Sequence, residues 1–290
     1  MKIISSVKEM KAAARKLKEE RKVIGFVPTM GYVHQGHLSL VRQSVKETDA
    51  TVVSIFVNPT QFGPQEDFKE YPRDLERDLK ILNQEGVVYV FSPREGEIYP
   101  RGYRTYVEVH GLQHKLCGKT RPTHFRGVCT VVLKLFNIVS PEVAYFGQKD
   151  AQQALILKRM VKDLNLDVEI RVMPIVREND GLALSSRNEY LSPKERKAAL
   201  VLHRSLLRAK ELIKAGERQT SVLIEEMEKL IQREKLARID YVEIVDLEEL
   251  GQLDIIKDEA LAAIAVYVGK TRLIDNMIVS LKKGKVEFRD

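Results

Sequence analysis

Apolar residues along this chain come in two patterns, short compact runs and stripes at helical spacing. Residues 23–27 (VIGFV), 51–57 (TVVSIFV) and 87–91 (VVYVF) are compact runs and predict buried strands, the first bounded by Pro28 and Gly31. Between them the period changes. Val7, Met10, Ala14 and Leu17 form a helical stripe within residues 1–20, and residues 37–46 predict a second helix. Leu75, Leu79 and Leu82 predict a third over residues 72–85, with Gly86 ending it. Strand, helix, strand, helix, strand in this order is the signature of a parallel, doubly wound sheet. Residues 99–127 break the pattern with many Gly, Pro and basic positions; an inserted strand over 105–109 and a mobile loop are expected there. The pattern then resumes as an apolar helix over 128–139, a strand over 143–146, a helix over 151–163 and a strand over 168–173.

A boundary is expected within residues 174–188. Beyond it, Ser192-Pro193-Lys194-Glu195 is a helix start: Ser caps, Pro takes the first helical position and Glu completes a capping box. Two helices follow, roughly to residue 215 and over 221–234, and then strand candidates at 239–245, 261–268 and 272–278. The fold class expected is therefore α/β, a Rossmann-like doubly wound parallel sheet with a smaller α+β carboxyl-terminal domain. The expected domains are residues 1–175 and residues 176–290. No internal repeat or low-complexity stretch is visible.

Composition narrows the function more than the fold. The chain has 290 residues, 44% hydrophobic and 31% charged, enough for one large core or two modest ones. No apolar run approaches the roughly 18 residues of a membrane-spanning helix, so no membrane partner is expected. The Lys- and Glu-rich first twenty residues lack the apolar core of a signal peptide. Two cysteines, Cys117 and Cys129, argue against a disulfide framework and for a cytoplasmic protein. The net charge of +7 suits an anionic partner such as ATP, although most of these charges read as an ordinary solvated surface.

Three distant clusters carry the candidate chemistry. His34-Gln35-Gly36-His37 follows the first strand and opens a helix, where free N–H groups and the helix dipole favour anions. A neutral imidazole there can donate to phosphate through one nitrogen while the other accepts a fixed partner. Gly147-Gln148-Lys149-Asp150 follows a later strand; Lys149 offers a point charge to a β- or γ-phosphate, and Asp150 an acceptor for ribose hydroxyls. Leu184-Ser185-Ser186-Arg187-Asn188 adds hydroxyls and a guanidinium able to hold phosphate bidentately. Taken singly, a surface charge pair or a polar turn would explain Lys149-Asp150 and Ser185 to Arg187 as well. Together they supply the donors that hold a triphosphate while its α-phosphorus is attacked. Asn58, Gln61 and Gln153 form a set of neutral amides suited to a small polyol acid. His114, Cys117, His124 and Cys129 match no common structural zinc spacing, so no metal site is expected. There is no Walker loop, dinucleotide glycine fingerprint or Ser-His-Asp order.

These residues are recognisable as a set. Pro28 through His37, Phe56-Val57-Asn58-Pro59-Thr60-Gln61-Phe62, Tyr71-Pro72-Arg73, His124-Phe125-Arg126-Gly127-Val128, Tyr145 through Gln153 and Ser185-Ser186-Arg187-Asn188 closely resemble the pantothenate synthetase (pantoate–β-alanine ligase) family, in order and over nearly the whole chain. The histidine and Ser-Ser-Arg elements alone would indicate only the wider nucleotidyltransferase superfamily with its HxGH motif. The resemblance implies ATP-dependent ligation of D-pantoate and β-alanine through pantoyl adenylate, with pyrophosphate and AMP released. It implies that His34 and His37 act at the α- and β-phosphates and that Lys149, Ser185, Ser186 and Arg187 grip the β- and γ-phosphates. Met30, Gly31, Gly147, Gln148, Asp150, Val176 and Leu184 would frame the nucleotide. Gln61 and Gln153, with Asn58, would bind pantoate or β-alanine. Mg²⁺ would arrive on ATP without a protein cage. One departure is Leu184, where relatives carry Met, a similar apolar residue. The family is cytosolic and dimeric, so a homodimer is expected.

Two other readings compete. A different adenylyl- or cytidylyltransferase would share the histidine and Ser-Ser-Arg motifs but not the amide set. A basic RNA-binding module would interleave Lys and Arg with aromatics on one surface; here the basic residues are diffuse, aromatics are 7%, and no nucleic-acid partner is expected.

Overall fold

The structure is a computed structural model that describes residues 1–64, 66–282 and 285–290. In chain order its first elements are β1 (Lys2–Ile4), α1 (Val7–Glu19), β2 (Ile24–Thr29), α2 (Gln35–Glu47), β3 (Ala50–Ile55), α3 (Leu75–Leu82), β4 (Tyr89–Phe91), α4 (Glu95–Ile98), α5 (Cys117–Thr120), α6 (His124–Val139), β5 (Val143–Gly147), α7 (Ala151–Asp163) and β6 (Glu169–Met173). There follow α8 (Pro193–Ala198), α9 (Leu200–Lys214), α10 (Thr220–Gln232), β7 (Ala237–Val245), β8 (Glu259–Val268), β9 (Thr271–Lys282) and β10 (Lys285–Arg289). The described residues form two units. The first comprises Met1–His114, Gly118–Gly147 and Gln153–Met173; the second comprises Lys115–Cys117, Gln148–Gln152 and Pro174–Asp290.

The first unit is the doubly wound sheet. Its six strands run in the order β1-β4-β3-β2-β5-β6, all parallel. The strands are nearly continuous apolar runs because helices cover both faces. Val27, Val53, Val90 and Val143 join Leu38, Val41 and Leu82 in one core cluster. The winding reverses between β2 and β5. The segments after those two strands are where open α/β sheets bind ligands; they carry Met30 to His37 and Gln148 to Asp150.

The second unit has four antiparallel strands ordered β10-β9-β8-β7. Leu206, Ile213, Met227 and Ile231 of α9 and α10 pack with Ile244, Ile264, Met277 and Val279 of the sheet. The Ser192 cap forms as expected, with its side chain accepting from Glu195 N–H and the Glu195 side chain accepting from Ser192 N–H.

Several expectations need correction. No strand forms over residues 105–109. Groups on α6 bind that segment instead: Val107 N–H donates to Thr130 Oγ1 (3.0 Å), Lys134 sits 4.4 Å from the Tyr103 ring centre, and Arg126 sits 4.9 Å from that of Tyr106. α6 begins at His124, four positions before its apolar run. β2 passes through Pro28, which lies opposite Ser54 in the ladder, so the proline does not end the strand. Two strands were not anticipated. β1 is too short to show a period, and β10 is a polar-apolar alternation of five residues at the sheet edge.

Candidate active site

The turn from β2 into α2 is held open by a buried carboxylate. Gly31 and Tyr32 both have positive φ, 86° and 51°, a conformation that costs little for glycine and more for tyrosine. Asp78 of α3 stabilises it by accepting from Tyr32 N–H (2.6 Å) and Val33 N–H (2.7 Å). Asp78 is 1% exposed. Burial pushes its carboxyl above the ordinary range, against the pull of the Val33 and Tyr32 amides and of Arg77. The Arg77 guanidinium contacts this carboxylate at 3.2 Å and also covers the Tyr32 ring.

This turn delivers the two histidines as a helix cap. His34 is the N-cap of α2; its Nδ1 accepts from Gly36 N–H at 3.1 Å. His37 reaches back, and its Nδ1 accepts from His34 N–H at 3.3 Å. The imidazoles stack with centroids 4.0 Å apart. An accepting Nδ1 carries no hydrogen, so in each neutral ring the proton is on Nε2. The helix start therefore carries a pair of Nε2–H donors of fixed tautomer beside the positive end of its dipole.

The amide set is organised around Asn58, which is 1% exposed. Its Nδ2 donates to Gln61 Oε1 and to Gly127 O, both at 3.1 Å. Its Oδ1 accepts from Thr60 Oγ1 (3.0 Å) and Tyr99 Oη (2.8 Å). Both donors and both lone pairs are thus used, and Asn58 holds the Gln61 side chain. Burial pushes the Tyr99 hydroxyl up to about 12, so it stays protonated and able to donate. Gln61 itself is tied at its backbone. Its carbonyl lies 2.9 Å from His124 Nδ1 and 3.3 Å from Arg121 Nη2, and Arg121 is bridged to Glu66. Its side-chain Nε2 donates to Met30 Sδ at 3.0 Å. A thioether is a weak acceptor, so a substrate oxygen can replace it at small cost. Gln153 lies half-buried in the first turn of α7, and among the described residues no hydrogen bond links it to Asn58 or Gln61.

In the second unit, Gln148 to Asp150 form a tight turn directly after Gly147. Lys149 is half-buried, with Nζ 3.8 Å from Asp150 Oδ1. Val176 and Leu184 face each other where a small antiparallel hairpin opens: Leu184 N–H donates to Val176 O (3.0 Å), and Arg177 pairs with Ala183. The hairpin runs on into Ser185, which caps the turn Ser186–Tyr190 by accepting from Arg187 N–H (3.3 Å). The Ser185 hydroxyl proton is left for another acceptor. Asn188 Nδ2 ties this turn to Ala183 O at 3.1 Å.

Asp78, Tyr99, His124 and Arg121 are the residues that sequence reasoning did not single out for the site. For Asp78 a signal existed. It lies three residues after Leu75 and four before Leu82, on the apolar stripe of its helix, where a carboxylate is out of place unless something binds it.

The chain is similar over nearly its whole length to known proteins. The model of a family described as pantoate-beta-alanine ligase matches residues 2–278. The pantothenate synthetase of Thermosipho africanus is 60% identical over 279 residues, 96% of this chain and 100% of that protein. The pantothenate synthetase of Acetivibrio thermocellus is 58% identical over 97% of this chain and 100% of its own length. Among solved structures, the pantothenate synthetase of Thermus thermophilus superposes with a TM-score of 0.91 at 46% identity, covering 95% of this chain and 98% of that one. The pantoate-beta-alanine ligase of Francisella tularensis, complexed with β-γ ATP and β-alanine, gives a TM-score of 0.77 at 35% identity over 95% of this chain and 97% of its own.

Proposed function

Because the chain belongs to the pantoate-beta-alanine ligase family, we propose that it joins D-pantoate to β-alanine, with ATP activating the pantoate carboxylate. A carboxylate is a poor acyl donor. Attack of its oxygen on the α-phosphorus of ATP breaks the bond to the β-phosphate, releases pyrophosphate and leaves pantoyl adenylate. The β-alanine amine then attacks the acyl carbon, AMP departs, and the amine proton goes to solvent. No protein nucleophile is needed, so catalysis is positioning plus neutralisation of charge.

The histidine cap carries this reading. The Nε2–H groups of His34 and His37 donate to the α- and β-phosphates and stabilise the charge that develops on the leaving pyrophosphate. Lys149, Ser185, Ser186 and Arg187 hold the β- and γ-phosphates. Met30, Gly31, Gly147, Gln148, Asp150, Val176 and Leu184 frame ribose and adenine. Gln61 and Gln153 bind pantoate, with Asn58 orienting Gln61. Lys149, Arg187, Ser185, Ser186 and the histidines are cationic or neutral donors that suit phosphate oxygens and not a metal ion, so Mg²⁺ would come in on the phosphates and would supply further neutralising charge there.

Residues 1–175, binding ATP and pantoate, and 176–290, closing on ATP, are the domains of this reading. Small-angle scattering with and without a non-hydrolysable ATP analogue tests the closure; an unchanged radius of gyration counts against it. A homodimer is the expected assembly, checked by light scattering. No helix of the described residues is long and apolar enough to cross a membrane. Both cysteines are buried free thiols, which suits a reducing cytoplasm.

Pyrophosphate release tests the function directly. With Mg²⁺ and ATP it should require D-pantoate, and AMP should appear only when β-alanine is added. Pyrophosphate release indifferent to pantoate would sink the ligase reading.

A further inference from the structure

Asn276 lies in the middle of β9, opposite Ala263 of β8, and is 3% exposed. A buried amide is costly unless its polar atoms are bonded. Among the described residues, every bond that its side chain makes goes to the turn that carries Lys149. Nδ2 donates to Gln148 O and Lys149 O, both at 2.9 Å, and Oδ1 accepts from Gln148 Nε2 at 3.3 Å. Gln148 Nε2 also donates to Arg289 O on β10 (2.8 Å). The two carbonyls are thereby tied back to the sheet, where they cannot turn toward a polyphosphate, and the backbone that bears the Lys149 ammonium is fixed to β9.

The preceding residue performs the matching task. Successive strand side chains face opposite sides of a sheet. Asp275, also 3% exposed, clasps Arg177 with both oxygens at 2.7 and 3.0 Å. Arg177 Nη1 in turn donates to Gly181 O (3.1 Å), inside the hairpin that bears Val176 and Leu184. The Asn276 N–H donates to Asp275 Oδ1 at 2.9 Å, coupling the two. One dipeptide of the second unit's sheet is thus bonded to both of that unit's nucleotide-binding segments.

We propose that Asn276 is a positioning residue for Lys149, and that Asp275, acting through Arg177, is the positioning residue for the hairpin. The proposal rests on the nucleotide-binding reading of Lys149, Val176 and Leu184. It goes beyond that reading by placing the control of ATP affinity in a strand outside the segments assigned to the nucleotide.

The test is a double-mutant cycle on Mg·ATP affinity, measured by calorimetry so that no turnover is needed. Lys149→Ala and Asn276→Ala should each weaken binding about tenfold, and the double variant should be no weaker than Lys149→Ala alone. Asn276→Asp keeps the side-chain shape but sets acceptors against the two carbonyls, so it should bind ATP no better than Asn276→Ala. A purely space-filling role predicts the opposite. Wild-type affinity in Asn276→Ala, or losses that multiply in the double variant, would overturn the proposal. Should Asn276→Ala not fold, Asn276→Ser retains one donor and carries the same cycle. Wild-type affinity in Lys149→Ala would instead refute the assignment of Lys149, and with it the proposal.

Discussion

Gly127 offers the sharpest test of how the amide set is built. It lies in the first turn of α6, against the turn that bears Asn58 and Gln61. A Cβ at Gly127 would lie 2.4 Å from Thr60 O, 2.5 Å from Thr60 C and 2.6 Å from Gln61 N. All three are backbone atoms, so no side-chain rotation relieves the clash. To reach ordinary contact, the Thr60-Gln61 peptide or the helix must move by roughly 1 Å. Overpacking of this kind costs about 1–3 kcal/mol, and alanine recovers up to about 1 kcal/mol of helix propensity. The net stability change of Gly127→Ala is therefore on the order of 0–3 kcal/mol.

The effect on activity should be much larger. The same displacement breaks the Asn58 Nδ2 bond to Gly127 O and shifts Gln61, the residue proposed to bind pantoate. A shift of about 1 Å at a reacting group can cost ~100-fold. We expect kcat/KM for pantoate to fall by roughly that factor while KM for ATP stays near wild type, measured as pantoate-dependent pyrophosphate release. Gly96→Ala is the control: nothing lies within 4 Å of the added carbon, so activity should be unchanged. If Gly127→Ala kept wild-type pantoate kinetics together with a raised melting temperature, the close approach would be of no consequence and the reasoning wrong.

Three further outcomes follow from the site. Asp78→Asn replaces one acceptor with a donor facing a backbone N–H, so it should lower stability by about 1–3 kcal/mol and slow adenylation through the displaced histidine turn; wild-type melting and rate would count against this role. His37→Ala removes a proposed phosphate donor and half of the cap, and should reduce kcat for pyrophosphate release roughly 100- to 1000-fold with little change in KM for pantoate. The Tyr99 hydroxyl ordinarily loses its proton near 10.0, but in the fold it does so at about 12. Between those values the unfolded chain has lost a proton that the folded chain keeps, so stability falls as pH rises; denaturation from about pH 9 to 12 should show a shallower loss for Tyr99→Phe than for wild type.

Local chemistry was legible in the sequence where it depended on near neighbours. The apolar runs gave β2, β3 and β4, and Ser192 with Glu195 gave the start of α8. The His34-Gly36-His37 spacing gave a histidine pair at a helix start. It did not give the cap itself, in which each Nδ1 is consumed by a backbone N–H, because that depends on φ and ψ at His34 and on the entry angle of the chain. The remoter supports were not legible for a different reason. Asp78 acts on Tyr32 across 46 residues, and Asn276 acts on Lys149 across 127. Nothing in either neighbourhood encodes the partner; only the closed tertiary structure does. The segment 105–109 failed because an apolar-polar alternation satisfied by α6 side chains looks the same, in one dimension, as one satisfied by a strand.

The hydrogen-bond accounts of these residues also divide them by role. Asn58 and Asn276 have both amide protons bonded within the protein, and Asp78 has each oxygen on a backbone amide. A group in that state has nothing left to offer a ligand, so its mutation should act through a neighbour. His34, His37 and Ser185 each spend one side-chain atom on a backbone N–H, and Gln61 spends its Nε2 on a weak thioether acceptor. Such a group is oriented before substrate arrives, and it meets the developing charge without reorganising. The role proposed for Asn58 is accordingly an indirect one, holding Gln61 in place for pantoate. Asn58→Asp, nearly the same shape but unable to donate, should therefore be as damaging as Asn58→Ala, and a variant that bound pantoate normally would return Asn58 to the surrounding scaffold.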